Sequence, residues 1–139
     1  MRINRFKTIG LMLCFAASTM IVSCNPDDKE DTNPLVGTKW ATSAGGSSYY
    51  VLEFPTATQC QLYHADNNLV ANSTIGNGTY KVNGSVVTFS GVEMYYFYSY
   101  YTPETGTISA NTMTTKGKNH MVTSTADETY PWNETWTKR

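Results

Sequence analysis

The side chains best suited to catalysis or metal binding are few. His64 and Asp66 are two residues apart, and His120 is the other of only two histidines in the chain. An imidazole beside a carboxylate can transfer protons or bind a metal, but a metal centre needs a third protein ligand at a suitable spacing. No such ligand follows either histidine. The pattern therefore predicts no catalytic centre, no metal site and no cofactor, with an enzyme or inhibitor site built from loops as the alternative.

A reactive side chain of another kind is Cys24, which follows an apolar run over residues 9–22 with three basic residues before it. A membrane-spanning helix needs about 20 apolar residues, so this shorter run predicts a cleavable secretory signal over residues 1–23. Residues 21–24, Ile-Val-Ser-Cys, resemble the lipobox of bacterial lipoproteins, in which the signal is cut before the cysteine and the thiol is lipidated. The resemblance implies that Cys24 is the lipidated N-terminus and attaches the protein to a membrane. An ordinary secretory signal or an uncleaved anchor is the alternative.

The segment behind Cys24 has the composition of a tether. Residues 25–34 contain four acids, one base, two prolines and no apolar side chain. Such a segment buries too little surface to fold, which predicts a disordered tether over residues 24–34. Its acidic cluster resembles the export signal of surface lipoproteins in one phylum of Gram-negative bacteria. This implies a lipid anchor in the outer membrane with display at the cell surface; a plain polar linker and the periplasmic face are the alternatives.

Residues 35–139 form one predicted domain, and its composition excludes some functions. Six basic and seven acidic residues give it a net charge of −1, so no basic patch predicts nucleic-acid binding. Cys60 is its only cysteine, which excludes an internal disulfide. Because Cys60 alternates with Leu62, we expect a buried, unreactive thiol.

The domain is predicted to be all-β. It holds 18 threonines and 16 aromatic residues and lacks apolar residues at helical spacing. Short segments separated by turn residues predict an antiparallel meander of eight to ten strands that closes into a barrel, with a β-sandwich as the alternative. The candidate strands are 37–43, 48–54, 58–64, 76–82, 85–90, 93–101, 105–110, 112–116, 119–124 and 133–138.

One hairpin is specific enough to predict a register. Asn83 and Gly84 suit the two central positions of a type I′ turn, which would place Tyr80 opposite Val87. Side chains then alternate between two faces. The predicted core face carries Tyr80, Val82, Val87 and Phe89, and the predicted outer face carries Thr79, Lys81, Val86 and Thr88.

Three segments together carry a family resemblance. Residues 35–40, with a glycine shortly before Trp40, the Gly-Thr-aromatic hairpin at 78–89 and the closing residues 134–139 are similar to the small lipocalin-like domains of bacterial lipoproteins. The resemblance implies a lipocalin-like barrel over residues 35–139. It also implies that Trp40 plugs one end, covered by Lys138 or Arg139 through a cation–π contact. A plain core tryptophan is the alternative.

Residues 93–101 are rich in aromatic side chains on both faces of the predicted strand. Met94, Tyr96, Tyr98 and Tyr100 would lie on one face, and Tyr95, Phe97 and Tyr101 on the other. An antiparallel strand over a single core needs only one apolar face, so the second face is a candidate for contact with a partner. An ordinary tyrosine-bearing outer face without a ligand is the alternative.

Two functions follow as expectations. The first is a barrel that binds a small apolar or amphipathic ligand in its lumen, since barrels of about eight strands are either filled or hold one small ligand. The second is a filled barrel that contacts a glycan or a protein through Tyr95, Phe97 and Tyr101. The candidate lumen residues are Trp40, Leu52, Phe54, Leu62, Tyr80, Val87 and Phe89.

Overall fold

The computed structural model describes residues 33–125 and 127–139. The expected signal peptide, Cys24 and the tether up to residue 32 lie outside the described residues. The described part contains nine β-strands and no helix. The strands are β1 (Thr38–Gly45), β2 (Ser48–Phe54), β3 (Gln59–Ala65), β4 (Gly76–Asn83), β5 (Val86–Ser90), β6 (Met94–Tyr96), β7 (Ser99–Ser109), β8 (Thr112–Val122) and β9 (Asp127–Lys138).

The strands form one antiparallel sheet that closes on itself. Each strand from β1 to β4 pairs with the next, and β1 also pairs with β9, which continues through β8 to β7. The C-terminal half of β7 pairs with β5, while its N-terminal half pairs with the short β6. Any cross-section therefore contains eight strands, with β5 and β6 sharing one position. This closure confirms the lipocalin-like barrel rather than the sandwich.

The barrel interior is filled with apolar side chains. Trp40, Trp136 and Phe54 are among its largest fully buried members, and Leu35 joins them from the segment before β1. Asn33 fixes that segment by donating hydrogen bonds to the Tyr80 hydroxyl (2.8 Å) and the Ala57 carbonyl (3.1 Å). The chain before β1 thus closes one end of the barrel.

Trp40 lies near this closed end, but the prediction that Lys138 or Arg139 covers it through a cation–π contact is wrong. The Trp40 indole nitrogen donates a hydrogen bond to the Thr38 hydroxyl at 2.8 Å. The Arg139 guanidinium lies over the ring of Tyr49 instead, 5.6 Å from its centroid. Trp40 is buried by its neighbours in the core and is 1 % exposed.

The β4–β5 hairpin keeps its predicted faces although its register differs. Gly84 and Ser85 form the turn, so Tyr80 faces Phe89 and Val82 faces Val87. Gly84 has φ +59° and Ser85 does not have a positive φ, which matches the type II′ pattern with glycine first rather than type I′. The pairing moves by two residues, an even number, so each side chain stays on its predicted face.

Residues 93–101 were predicted to form one strand, and this prediction is wrong. They form a strand, a turn and the start of another strand. Phe97 and Tyr98 form a two-residue turn between β6 and β7, with φ values of +47° and +58°. Met94 consequently faces Tyr101 across the hairpin, and both point inward. Tyr101 therefore does not share an outer face with Tyr95 as predicted.

A bulge in β7 sets the direction of Tyr101 relative to the rest of the strand. The register with β8 shifts between Pro103 and Thr105, so inward side chains change from odd positions, such as Tyr101, to even positions, such as Ile108. Beyond the bulge, β7 and β8 continue as long strands. The predicted segments 105–110, 112–116 and 119–124 are parts of these two strands.

The connection between β5 and β6 folds into the barrel against two glycines of β4. An added Cβ at Gly76 would lie 1.9 Å from the Glu93 carbonyl oxygen, and one at Gly78 would lie 2.5 Å from the Val92 side chain. The absence of side chains there makes room for Val92 and Met94, which are completely buried. This connection fills interior space that a lumen ligand would otherwise occupy.

Candidate functional site at the open end of the barrel

The two ends of the barrel differ in what they expose. The β2–β3, β4–β5 and β7–β8 connections lie at the closed end, together with the segment before β1. The β1–β2, β3–β4, β6–β7 and β8–β9 connections lie at the other end, which we call the open end. The Phe97–Tyr98 turn is thus opposite the end where the described chain begins.

The seven expected lumen residues all point inward and pack together. Each is 0–6 % exposed, and all belong to one core cluster with Met113, Trp136 and Leu35. Phe54 lies at the centre of their aromatic contacts, with ring centroids 4.8 Å from Tyr80 and 6.3 Å from Phe89. These residues form the packed interior of the closed half of the barrel.

Above this interior lies a group of inward aromatic rings that we call the mouth cluster: Tyr50, His64, Tyr96, Tyr101 and Trp132. Tyr50 is its centre, 5.2 Å from Tyr101, 6.1 Å from Trp132 and 6.3 Å from Tyr96 between ring centroids. His64 stacks on Tyr96 at 3.9 Å, with an interplanar angle of 14°. The three tyrosines are half-buried, so solvent reaches part of each of them.

One carboxylate also points into the mouth. Glu134 lies between Trp132 and Trp136 on the inward face of β9. Its oxygens accept hydrogen bonds from the Thr42 hydroxyl and the Trp132 indole N–H, both at 3.2 Å. Burial raises the pKa of the Tyr50 hydroxyl, and its hydrogen bond to Tyr101 and the nearby Glu134 charge raise the pKa further. Tyr50 therefore stays neutral at physiological pH.

Another polar group points into the mouth, and its oxygen atom lacks a hydrogen-bond partner. The side-chain oxygen of Asn119 is buried and has no hydrogen-bond partner in the described structure. Asn119 lies opposite Tyr101 on β7 and opposite Tyr130 on β9. A buried acceptor without a donor costs about 1–3 kcal/mol, and such an atom needs a bound water or ligand to offset that cost.

The β6–β7 turn projects aromatic rings from the open end, and we call Phe97 and Tyr98 the aromatic tip. Phe97 is 74 % exposed and Tyr98 is 63 % exposed. The Phe97 ring also contacts Tyr96 edge-on at 4.6 Å, which joins the tip to the mouth cluster. Tyr95 and Tyr100 form a further aromatic pair on the outer face beside the tip, at 4.9 Å.

The acid–base candidates do not come together. His64 is buried and its Nδ1 hydrogen-bonds to the Asn72 side-chain oxygen. The Asp66 carboxylate instead accepts the backbone N–H groups of Asn68 and Val70 at 2.9 Å each, which organises the β3–β4 loop. Within residues 33–125 and 127–139, no group of three His, Cys, Asp or Glu side chains is arranged to hold a metal ion.

Cys60 is buried and unpaired, as predicted, and burial raises the pKa of its thiol to about 12. It borders a surface concavity of about 360 Å³ between β3 and β4, whose lining also includes Pro55, Gln61 and Thr79. A thiol with so high a pKa is not a nucleophile at neutral pH.

The sequence analysis did not predict the mouth cluster as a site, although the sequence contains a pattern that indicates it. Tyr50 continues the alternation of Leu52 and Phe54 on β2, and Trp132, Glu134 and Trp136 alternate in the same way on β9. A charged residue at the centre of an inward series marks an unusual position.

Comparison of the chain with protein-family models, with curated proteins and with solved structures finds no match in any of the three. No helix among the described residues is long and apolar enough to cross a membrane.

Proposed function

We propose that the protein is a lipid-anchored binding module of the outer membrane, exposed at the cell surface, that contacts a glycan or a protein partner with the aromatic end of a filled barrel. Cys24 is the proposed attachment point. The observation that carries the proposal is the display of Phe97 and Tyr98 at two left-handed turn positions.

The backbone conformation of the tip is costly for these residue types. Two-residue turns with positive φ at both positions favour Asn-Gly, because a side chain with a Cβ loses about 1–2 kcal/mol per residue in the left-handed region. Aromatic residues at both positions thus reduce stability while leaving two large rings in solvent. Strain of this kind is concentrated at binding and catalytic sites, which favours a role for the rings themselves.

The position of the tip agrees with such a role. The described chain enters the barrel at Asn33, at the closed end, and the tip lies at the opposite end. The tip is therefore at the far end of the barrel from the residue at which the expected tether would join it. Burial of one large apolar ring contributes about 1.5–3 kcal/mol, so two rings could supply a substantial part of a micromolar affinity.

The test replaces the tip by the residues that its backbone prefers, in a double substitution, Phe97→Asn with Tyr98→Gly, that we call the tip variant. It should unfold at a higher temperature, with about 1–3 kcal/mol more stability, because the strain is removed. The same variant should lose binding to a microarray of neutral glycans or, if no glycan binds, capture of the partner that the wild-type protein retains from outer-membrane extract.

Val86→Thr is the matched control, since it removes an exposed apolar side chain at the closed end. It should bind like the wild-type protein. Equal binding by the wild type and the tip variant would contradict the proposal, and so would the absence of any glycan or protein partner.

A small-ligand function is the second candidate, and the half-buried rings of the mouth cluster favour it. The expected lumen residues leave the closed half occupied by protein, so an amphipathic ligand would bind at the mouth, in contact with Tyr50, Tyr101 and Trp132.

A further inference from the structure

The mouth of the barrel holds a negative charge that no basic side chain neutralises among the described residues. The ion pairs in this part of the chain join Lys39 to Glu53, Lys118 to Glu104 and His120 to Asp127. Glu134 is in none of them, and its two hydrogen-bond donors, Thr42 and Trp132, are neutral. A half-buried carboxylate ordinarily has a cationic partner, because removing its charge from water is costly.

The surroundings of Glu134 are aromatic rather than basic. Tyr50 is close enough for the Glu134 charge to raise its pKa, and the Tyr50 ring meets the Trp132 ring edge-on at 6.1 Å. Tyr101 extends this wall, 5.1 Å from Trp132. The faces of tyrosine and tryptophan rings attract cations through their quadrupoles, most strongly where water is excluded. The carboxylate and the aromatic rings therefore both favour a positively charged ligand.

We infer that the mouth binds an organic ammonium ion, with Glu134 as its counter-charge and the rings of Tyr50, Tyr101 and Trp132 as its walls. The inference rests on the small-ligand function and gives that ligand a chemical class. A metal cation fits less well, because no group of three His, Cys, Asp or Glu side chains among the described residues is arranged to hold one. The unpartnered oxygen of Asn119 offers an acceptor at the same mouth for an N–H or O–H group of the ligand.

The test uses a matched pair of probes: choline, and its neutral isostere in which a tert-butyl group replaces the trimethylammonium group. Binding is measured by titration of the intact protein, with tryptophan fluorescence as the signal because Trp132 lines the proposed site and the Trp136 ring lies 6.0 Å from it between centroids. Choline should bind at least about tenfold more tightly than the isostere, and raising the salt concentration should weaken only choline binding.

Glu134→Gln removes the charge while retaining hydrogen-bonding atoms for Thr42 and Trp132. It should reduce choline affinity by about tenfold or more and leave the isostere unaffected. Glu104→Gln is the matched control, since this carboxylate is paired with Lys118 on the outer surface, and it should bind both probes like the wild type. Should Glu134→Gln unfold, Tyr101→Leu provides a second variant, which should also weaken choline more than the isostere.

Equal affinity for the two probes, or unchanged choline binding by Glu134→Gln, would overturn the ammonium inference while leaving a small-ligand site in place. If neither probe binds at about 10 mM, a concentration far above the micromolar range in which specific ligands bind, both the ammonium inference and the small-ligand function are overturned. Neither result affects contact through the aromatic tip, because the tip variant tests that separately.

Discussion

Replacing Gly76 by alanine should destabilise the barrel through a collision of the new side chain with backbone. The added Cβ would lie 1.9 Å from the Glu93 carbonyl oxygen and 2.4 Å from its carbonyl carbon. Real Cβ contacts are essentially never shorter than 3.0 Å, so the β5–β6 connection must move by more than 1 Å. The atoms that it meets belong to the backbone, and no rotation of a side chain relieves the overlap.

The size of the effect follows from what this connection buries. Val92 and Met94 are completely buried, and complete burial of such a side chain contributes about 1.5–3 kcal/mol. Partial exposure of both side chains should therefore lower the free energy of unfolding by about 2–4 kcal/mol. For a domain of this length, each kilocalorie lowers the melting temperature by about 4–8 °C. We expect Gly76→Ala to melt at least about 8 °C below the wild type.

Gly106→Ala provides the control for this measurement. Gly106 is also an inward glycine of a strand, but its Cβ would meet the Met113 sulfur at 3.2 Å and the edge of the Phe89 ring at 3.3 Å. These are side-chain atoms that can shift by a few tenths of an ångström, so the cost should be about 1 kcal/mol, at the low end for overpacking of a core. Urea denaturation of the two variants measures the difference. If both lose the same stability, the β5–β6 connection does not pack against Gly76 as described.

Two further predictions concern buried polar groups. Thr115→Val removes the hydroxyl that accepts the Trp136 indole N–H at 2.8 Å inside the core. It should lower the unfolding free energy by about 1–3 kcal/mol in urea denaturation. The control, Thr114→Val at an exposed position of the same strand, should change the unfolding free energy by less than about 0.5 kcal/mol. The pKa of the Cys60 thiol is raised from 9.0 to about 12, so its contribution to stability is present below pH 9 and is lost as the pH rises towards 12. Cys60→Val should flatten the fall in unfolding free energy over that range, and an unchanged slope would contradict the burial of the thiol.

Local patterns in the sequence were enough to predict strands and faces, but they were insufficient for register. In the β4–β5 hairpin, both candidate turns, Asn83–Gly84 and Gly84–Ser85, contain a glycine and give the same alternation of side chains. The faces were therefore correct whichever turn formed. Only the cross-strand partners depended on the choice, and a difference of one residue in the turn position lies below the resolution of turn preferences.

The β6–β7 turn could not be predicted because its residues are unfavourable for it. Phe97 and Tyr98 have high β-propensity and no turn preference, so residues 93–101 had the pattern of a single strand. Packing of Met94, Tyr96 and Tyr101 against the core overrides that local preference. The inward direction of Tyr101 also depends on the bulge after Pro103, and an alternation pattern contains no information on where a bulge lies.

The shared position of β5 and β6 divides the barrel into parts of unequal stability. At the closed half, β5 is hydrogen-bonded on both sides, to β4 and β7, whereas β6 is paired only with β7 among the described strands, over three residue pairs. Separation of β6 from the sheet would break few hydrogen bonds and leave the β5–β7 seam intact. Amide protons of β6 should therefore exchange with solvent through local opening, long before those of β5 exchange by global unfolding. Opening of the aromatic end would therefore leave the closed half of the barrel intact.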